Sequence, residues 1–422
     1  MSLSAGEVRA LAADPGLAAA AEDLELSDAT LVADVAHLRK EVGQLARAVV
    51  ELERARRSVR GKLPDGWLLD SESAQQATHM AVARLRARRL AAAVDDGVAP
   101  GVHDVTCSIG TEPAALTAAR VSGPVLGTDL DPARVAMARR NVPGALFAVA
   151  DALAPVSRGL LVVADPARRA GGRRIPRPED LLPPLPDLLD AWHGHELAVK
   201  CAPGLDYSGW AGEAAVVSVD GGVKEVCLYT PGLAGRGGAV TRSAAILRTR
   251  GVGAGAGPEL YDDTLPDDCG CGDVGRYVID PDGAVVRAGL VRHYAAAHGL
   301  RQLDERIAHL TGDAIPAGAS GFEVLEQVPL KKVGKVLAAR GCTSAEILVR
   351  GVGVNPDALR KQWKLRANKS RATGDGANGS SGAGAALGVI VTRIGAAATA
   401  FVCGPRQWGP PPAEAGVPDV RR

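Results

Sequence analysis

Leu31, Val35, Leu38, Val42, Leu45, Val49 and Leu52 recur at alternating four- and three-residue steps, with Glu41, Arg47, Glu53 and Arg54 between them. That spacing puts one apolar stripe on a helix, so the first 60 or so residues are expected to be helical and to pack through it. A second helical pattern runs from Ser71 to Ala93, after a Lys62-Leu63-Pro64-Asp65-Gly66 turn, with Ser71 or Ser73 as its N-cap. From His103 the pattern changes. Short apolar runs at Val105–Cys107, Val125–Asp129, Leu146–Val149, Leu160–Ala164 and Leu197–Cys201 read as strands. Helical patterns at Glu112–Ala119 and Ala133–Asn141 separate the early ones. Such alternation predicts a parallel sheet with helices on both faces. Ala215–Val219, Lys224–Tyr229 and Thr241–Arg248 follow with shorter connections, and Asp220-Gly221-Gly222 is a hairpin signal. The edge of the sheet is therefore expected to be antiparallel.

Beyond a mixed segment, Phe322 to Gly404 predicts a second, small α/β unit. Its strands are Phe322–Gln327, Ala345–Val349, Leu387–Arg393 and Ala397–Cys403, and its helices are Lys332–Arg340 and Pro356–Lys364. Ala367 to Ala386, rich in Gly, Ser, Asn and Ala, reads as a flexible loop, and the tail after Gln407 as a frayed end.

Composition changes this picture little. A chain of 422 residues has room for two or three domains. With only 3% aromatic residues, its cores must be built from Val, Leu, Ala and Ile. Seven scattered cysteines, an odd number, and no basic-then-apolar leader point to a reducing cytoplasm. No apolar run reaches 18 residues, so no membrane span is expected.

The candidate chemistry lies between Asp104 and Arg169. Four signals occur there in order: Asp104-Val105-Thr106-Cys107-Ser108-Ile109-Gly110-Thr111, Gly127-Thr128-Asp129-Leu130-Asp131-Pro132, Ala150-Asp151-Ala152-Leu153 and Ala164-Asp165-Pro166-Ala167-Arg168-Arg169. Each reaches the end of a predicted strand, where open α/β sheets bind ligands. A turn of small residues at Cys107–Gly110 lets backbone N–H groups approach a ligand at a helix N-terminus. A carboxylate at Asp129 or Asp131 can accept from ribose hydroxyls, although Asp131-Pro132 reads better as an N-cap with proline at N1. Asp151 could take an adenine amine, and Asp165 ends the fourth strand beside the reacting group. A dinucleotide would need Gly-x-Gly-x-x-Gly, and this turn holds only Gly110.

Together these signals resemble the class I S-adenosylmethionine-dependent methyltransferases. More narrowly, the chain resembles bacterial members with a C-terminal THUMP-like domain. That resemblance also takes in Gln76-Ala77-Thr78, Lys200-Cys201-Ala202-Pro203-Gly204-Leu205-Asp206, and Arg350-Gly351-Val352 with Pro356. It implies an α/β fold: a Rossmann-like methyltransferase sheet, an N-terminal helical region and a small THUMP-like α/β domain. The expected division is 1–95 helical, 96–250 methyltransferase, 251–319 connecting, 320–405 THUMP-like and 406–422 tail. S-adenosylmethionine is the implied cofactor. Asp104 and Gly110 would frame its methionine end, with Cys107 and Ser108 of the same turn also binding the cofactor, Asp129 would hold its ribose and Asp151 would face its adenine. Asp165 and Arg168 would carry the chemistry. Ser108 stands where many relatives have glycine.

The acceptor is less determined. Methyltransferases acting on base amines often carry Asn/Asp-Pro-Pro and an aromatic ring, and here Ala167-Arg168 replaces Pro-aromatic. Cys201 could be a nucleophile for pyrimidine C5 methylation, but a small buried thiol explains it as well. Cys269-Gly270-Cys271 has spacing too short for a zinc knuckle, and no metal is expected. Charge says more. Between Pro329 and Thr373 stand eleven Lys or Arg against two acids, in a chain of net charge +1. Arg168, Arg169, Arg173, Arg174 and Arg177 form a second cluster. Basic patches of this kind track phosphates, so RNA is the expected partner, with Arg169, Arg173, Arg174, Lys331, Lys332, Arg350, Lys361 and Lys364 as contacts. THUMP domains in related enzymes recognise structured RNA, often tRNA. The alternatives are a small-molecule methyltransferase and a methyltransferase fold that has lost turnover and only binds RNA.

Overall fold

The computed structural model describes residues 2–167, 177–251, 254–365 and 386–411, and the backbone at 169–170 and 173–174. The loop expected at Ala367 to Ala386 lies, up to residue 385, outside the described residues, as does the tail from residue 412. The chain forms two compact units. One comprises the residues up to Ala214 together with Lys224–Ala239, and the other Ala215–Val223 and the described residues from Val240 on.

The first unit opens with helices. The apolar stripe becomes α1 (Leu31–Val42) and α2 (Ala46–Ser58), interrupted at Gly43, whose φ of 60° breaks the helix. Leu38, Val49 and Leu52 from the stripe are fully buried. The pattern from Ser71 to Ala93 is two helices rather than one: α3 (Ser71–Gln76) and α4 (Met80–Asp95). Asp70, not a serine, caps α3, and Ser73 completes the capping box. The break has a physical cause. Lys62 Nζ donates to the carbonyls of Ala74 at 2.7 Å and Gln75 at 3.4 Å, which satisfies the end of α3. His79 then starts α4 by accepting the Ala81 N–H.

Strands β1 (Val102–Asp104), β2 (Val125–Asp129), β3 (Leu146–Val149), β4 (Leu161–Ala164) and β5 (Leu197–Cys201) follow. They alternate with α5 (Thr111–Ala118) and α6 (Pro132–Asn141) in the early part. The order β5-β4-β1-β2-β3 is parallel throughout. The first strand sits three residues earlier than its apolar run suggests. Val102–Asp104 pairs with both neighbours, whereas beyond it Val105 bonds only toward β4 and Cys107 only toward β2. The chain there is already leaving the sheet, so Asp104 is its last strand residue. Glu213–Val219 is β6, and β7 (Gly222–Tyr229) lies antiparallel to β5 through Val226–Tyr229, the expected antiparallel edge.

In the second unit Asp220 and Gly221, both at positive φ, make the hairpin turn. Strands β8 (Arg242–Leu247) and β9 (Glu259–Asp262) pair antiparallel. A seven-stranded sheet follows, built from β10 (Tyr277–Ile279), β11 (Arg301–Gln302), β12 (Leu310–Gly312), β13 (Ser320–Pro329), β14 (Ser344–Arg350), β15 (Ala386–Ile394) and β16 (Ala397–Trp408), in the order β11-β12-β10-β13-β16-β15-β14. Three of its strands thus come from the segment before residue 319. Helices α7 (Val333–Ala339) and α8 (Pro356–Gln362) bury Val333, Leu337 and Leu359 in one cluster with Val328, Ile347, Val389 and Val402 of the strands. Burying each such side chain stabilises the fold by about 1.5–3 kcal/mol.

Candidate active site at the carboxyl edge of the first sheet

Because β1 to β4 run parallel, their carboxyl ends share one edge, and each is followed by one of the four sequence signals. Asp104 closes β1 and is buried. Its Oδ1 accepts the Thr106 N–H at 3.1 Å. Burial, and then the neighbouring Glu112 carboxylate, push its carboxyl up to about 8, so Asp104 carries a proton at neutral pH. The Thr106 hydroxyl accepts the Asp165 N–H at 2.6 Å and ties the end of β4 to this first turn.

The turn is tight. Ser108 lies at φ 46° and Gly110 at φ 90°. A Cβ on Gly110 would come within 3.0 Å of Val142 Cγ2 and 3.3 Å of Ala138 Cβ, so both conformation and space favour glycine there. The Ser108 N–H donates to Asp129 Oδ2 at 2.9 Å, and the Asp131 N–H to Asp129 Oδ1 at 3.0 Å. Each carboxylate oxygen keeps a further lone pair, so Asp129 can still accept from hydroxyls. Ser108 Oγ accepts from Arg134 at 3.0 Å. Asp131 caps α6 by accepting the Ala133 N–H at 2.8 Å, with Pro132 at N1. Cys107 is buried, and burial, followed by Asp104, pushes its thiol well up. Asp151 stands apart: it is exposed beyond β3, and its Oδ1 accepts the Leu153 N–H at 2.9 Å.

A buried charge network lies behind this edge, and apart from Asp165 sequence reasoning gave its members no role. Lys200, in β5, places Nζ 2.7 Å from Asp165 Oδ2 and 3.4 Å from Glu112 Oε1. Arg86 of α4 holds Glu112 with two bonds, from Nε at 3.1 Å and Nη2 at 2.9 Å, while Nη1 reaches Glu225. Lys200, Glu112, Arg86 and Glu225 are all at most 4% exposed. Burial alone would lower the Lys200 pKa, but the Asp165 and Glu112 carboxylates outweigh it and raise it. Burial likewise opposes ionisation of Glu112, and Arg86 and Lys200 reverse that. The two cations thus face three carboxylates, two buried and the partly exposed Asp165, and a proton on Asp104 spares the site a further buried negative charge. A sequence signal did exist. Arg86 interrupts the buried stripe Val82, Ala83, Ala87, Leu90 of α4, and Lys200 interrupts an otherwise apolar strand. A charge on a buried face requires a partner.

Arg168 lies outside the described residues. Arg169–Ala170 pairs antiparallel with Arg173–Arg174, and the side chains of this ladder lie outside the description. Cys201 is 0% exposed inside β5, so its thiol cannot reach a base without rearrangement of the strand. Among the described residues no three His, Cys, Asp or Glu are grouped to hold a metal ion, and no helix is long and apolar enough to cross a membrane.

In the second unit the structure sorts the basic residues. Arg340 pairs with Glu326, Arg350 with Asp280 and Arg360 with Asp357. Arg366, Lys369 and Arg371 lie outside the described residues. Lys331, Lys332, Lys335, Lys361 and Lys364 are exposed and form no ion pair among the described residues. They flank or belong to α7 and α8, which cover the same face of the sheet, and a Cβ on Gly334 of α7 would touch the Trp363 ring that follows α8.

Residues 319–405 match the model of the THUMP domain-like family. A Mycobacterium tuberculosis protein (strain H37Rv), described as an uncharacterized S-adenosylmethionine-dependent methyltransferase, is 45% identical over 391 residues, which span 87% of this chain and 99% of that protein. Its counterpart in strain CDC 1551 matches to the same extent. The crystal structure of a protein described as a methyltransferase, from Porphyromonas gingivalis W83, superposes with a TM-score of 0.65 at 16% identity, covering 96% of this chain and 99% of that one.

Proposed function

Because this chain belongs to the S-adenosylmethionine-dependent methyltransferases, we propose that the methyl group it transfers goes to a base in structured RNA, tRNA or rRNA. The enzyme uses S-adenosylmethionine as its donor. One observation carries the acceptor reading: five exposed lysines, unpaired among the described residues, lie on or beside the two helices of a domain that matches the THUMP-like family. Unpaired surface cations cost the fold little and attract phosphates. Arg350, held by Asp280, is less available than the five lysines.

The residues at the sheet edge suit the donor. The turn from Cys107 to Gly110 has no room for a larger residue at Gly110, and Asp129 offers lone pairs at the end of β2. When bound, S-adenosylmethionine supplies an electrophilic methyl group on a sulfonium. In this reading Asp104 and the turn hold the amino-acid end, Asp129 holds the ribose and Asp151 faces the adenine. Asp165 accepts a hydrogen bond from the acceptor base and orients it. Transfer then relies mainly on positioning and exclusion of water. The test is incubation of labelled S-adenosylmethionine with RNA from cells lacking the gene. Label in RNA with the wild type, and none after the five lysines become alanine, is the expected result. Equal transfer by both proteins would refute it.

A further inference from the structure

We infer that Lys200 is a positioning residue for methyl transfer: its buried ammonium fixes the Asp165 carboxylate at the carboxyl edge of the sheet, and Glu112, anchored by Arg86, fixes Lys200. This rests on the reading above that Asp165 faces the acceptor. The Thr106 hydroxyl holds the Asp165 N–H. A backbone bond sets where a carboxylate begins, not where its oxygens point. The 2.7 Å contact from Lys200 to Oδ2 does the second job. Lys200 itself has a flexible stem, but β5 is a central strand, and Glu112 forms an ion pair with the ammonium at 3.4 Å. Glu112 cannot swing away, because Arg86 grips both of its oxygens from α4. The chain of contacts therefore runs from a helix ahead of the sheet, through two layers of opposite charge, to the reacting edge.

The arrangement also defines what Asp165 can do. With an ammonium at hydrogen-bond distance its carboxylate is a weak base and a strong acceptor. It can receive an N–H or O–H from a base and aim the opposite lone pair at the methyl group.

K200M, D165N and the double variant test this in the full-length protein, with methyl transfer to RNA, affinity for S-adenosylmethionine and thermal melting as readouts. K200M is expected to lower kcat by about 100-fold with donor affinity little changed, and to lower the melting temperature, because it leaves Glu112 and Asp165 without their shared cation. It should also move the acid limb of the pH–kcat profile upward by about one to three units. The double variant should be no slower than D165N, because Lys200 acts through Asp165. Losses that multiply in the double variant, or an unmoved acid limb, overturn the proposal. Should K200M not accumulate folded, E112Q loosens the same ammonium and should give a smaller shift of the same sign. A wild type that labels no RNA refutes the acceptor reading alone. Lys200 is then judged by 13C NMR of the aspartate carboxyls. The resonance lost in D165N must titrate at higher pH in K200M, and an unchanged titration overturns the pairing.

Discussion

The cations behind the first sheet and those on the second unit's helices are the same residue types in opposite settings. Arg86 and Lys200 are buried, each held by two carboxylates. Lys331, Lys332, Lys335, Lys361 and Lys364 are exposed and unpaired among the described residues. A buried charge survives only if its partners repay the lost water, so its geometry is fixed and its removal is costly. An exposed, unpaired charge is mobile and cheap, and its attraction is left over for something outside the protein. In the proposed reading one set builds a reacting edge and the other offers a surface to phosphates.

The largest expected effect is at the edge. D165N should lower methyl transfer by roughly 10²- to 10⁴-fold while donor affinity, measured by isothermal titration, stays within a few-fold. A comparable loss of donor affinity would instead place Asp165 in the cofactor pocket. Next is stability. R86M leaves Glu225 buried without its cation and Glu112 with Lys200 alone, and should cost about 3–5 kcal/mol in chemical denaturation. R340M, which breaks the exposed pair with Glu326, should cost about 0–1 kcal/mol. Similar costs for both would erase the contrast. On the second unit, a rise from about 50 to 200 mM salt should weaken RNA binding roughly 100- to 500-fold if the five lysines meet phosphates. Replacing all five by alanine should flatten that dependence, and a slope that survives would move the RNA elsewhere.

The smallest effect concerns Asp104. Its carboxyl is raised in the fold from its ordinary value of 3.8 to about 8, so the folded chain keeps a proton that the unfolded chain releases. That contribution is complete below about pH 4 and is lost as the pH rises to 8. His103, lowered by burial from 6.5 to about 4, slopes the other way between those two values. D104N should therefore gain stability relative to the wild type as pH rises from 4 to 8. A constant difference across that range would mean that Asp104 is ionised in the fold.

Much of this was legible in the chain. Val125–Asp129, Leu146–Val149 and Leu197–Cys201 occupy the ranges their apolar runs predict, because strands of a parallel sheet covered by helices are mostly apolar. The elements from 320 to 408 likewise match to within a few residues, apart from the longer ends of β13 and β16. Asp131 caps its helix as its following proline suggests. Elsewhere local pattern was overruled by distant partners. The helix at Ser71 ends early because Lys62 takes its last carbonyls, and nothing near residue 76 announces a lysine fourteen positions back. The first strand starts early because two neighbours, not its own valines, decide where pairing stops. The network of Arg86, Glu112 and Lys200 joins residues 26 to more than 100 positions apart, and only their placement on apolar faces hinted at it.

Modified-nucleoside mass spectrometry of RNA from cells with and without the gene tests the central claim most directly. A single methylated nucleoside should vanish from tRNA or rRNA without the gene. It should return when that RNA is incubated with the wild-type enzyme and S-adenosylmethionine, but not with D165N. Identical nucleoside profiles in the two RNA samples would contradict the assignment of RNA as acceptor.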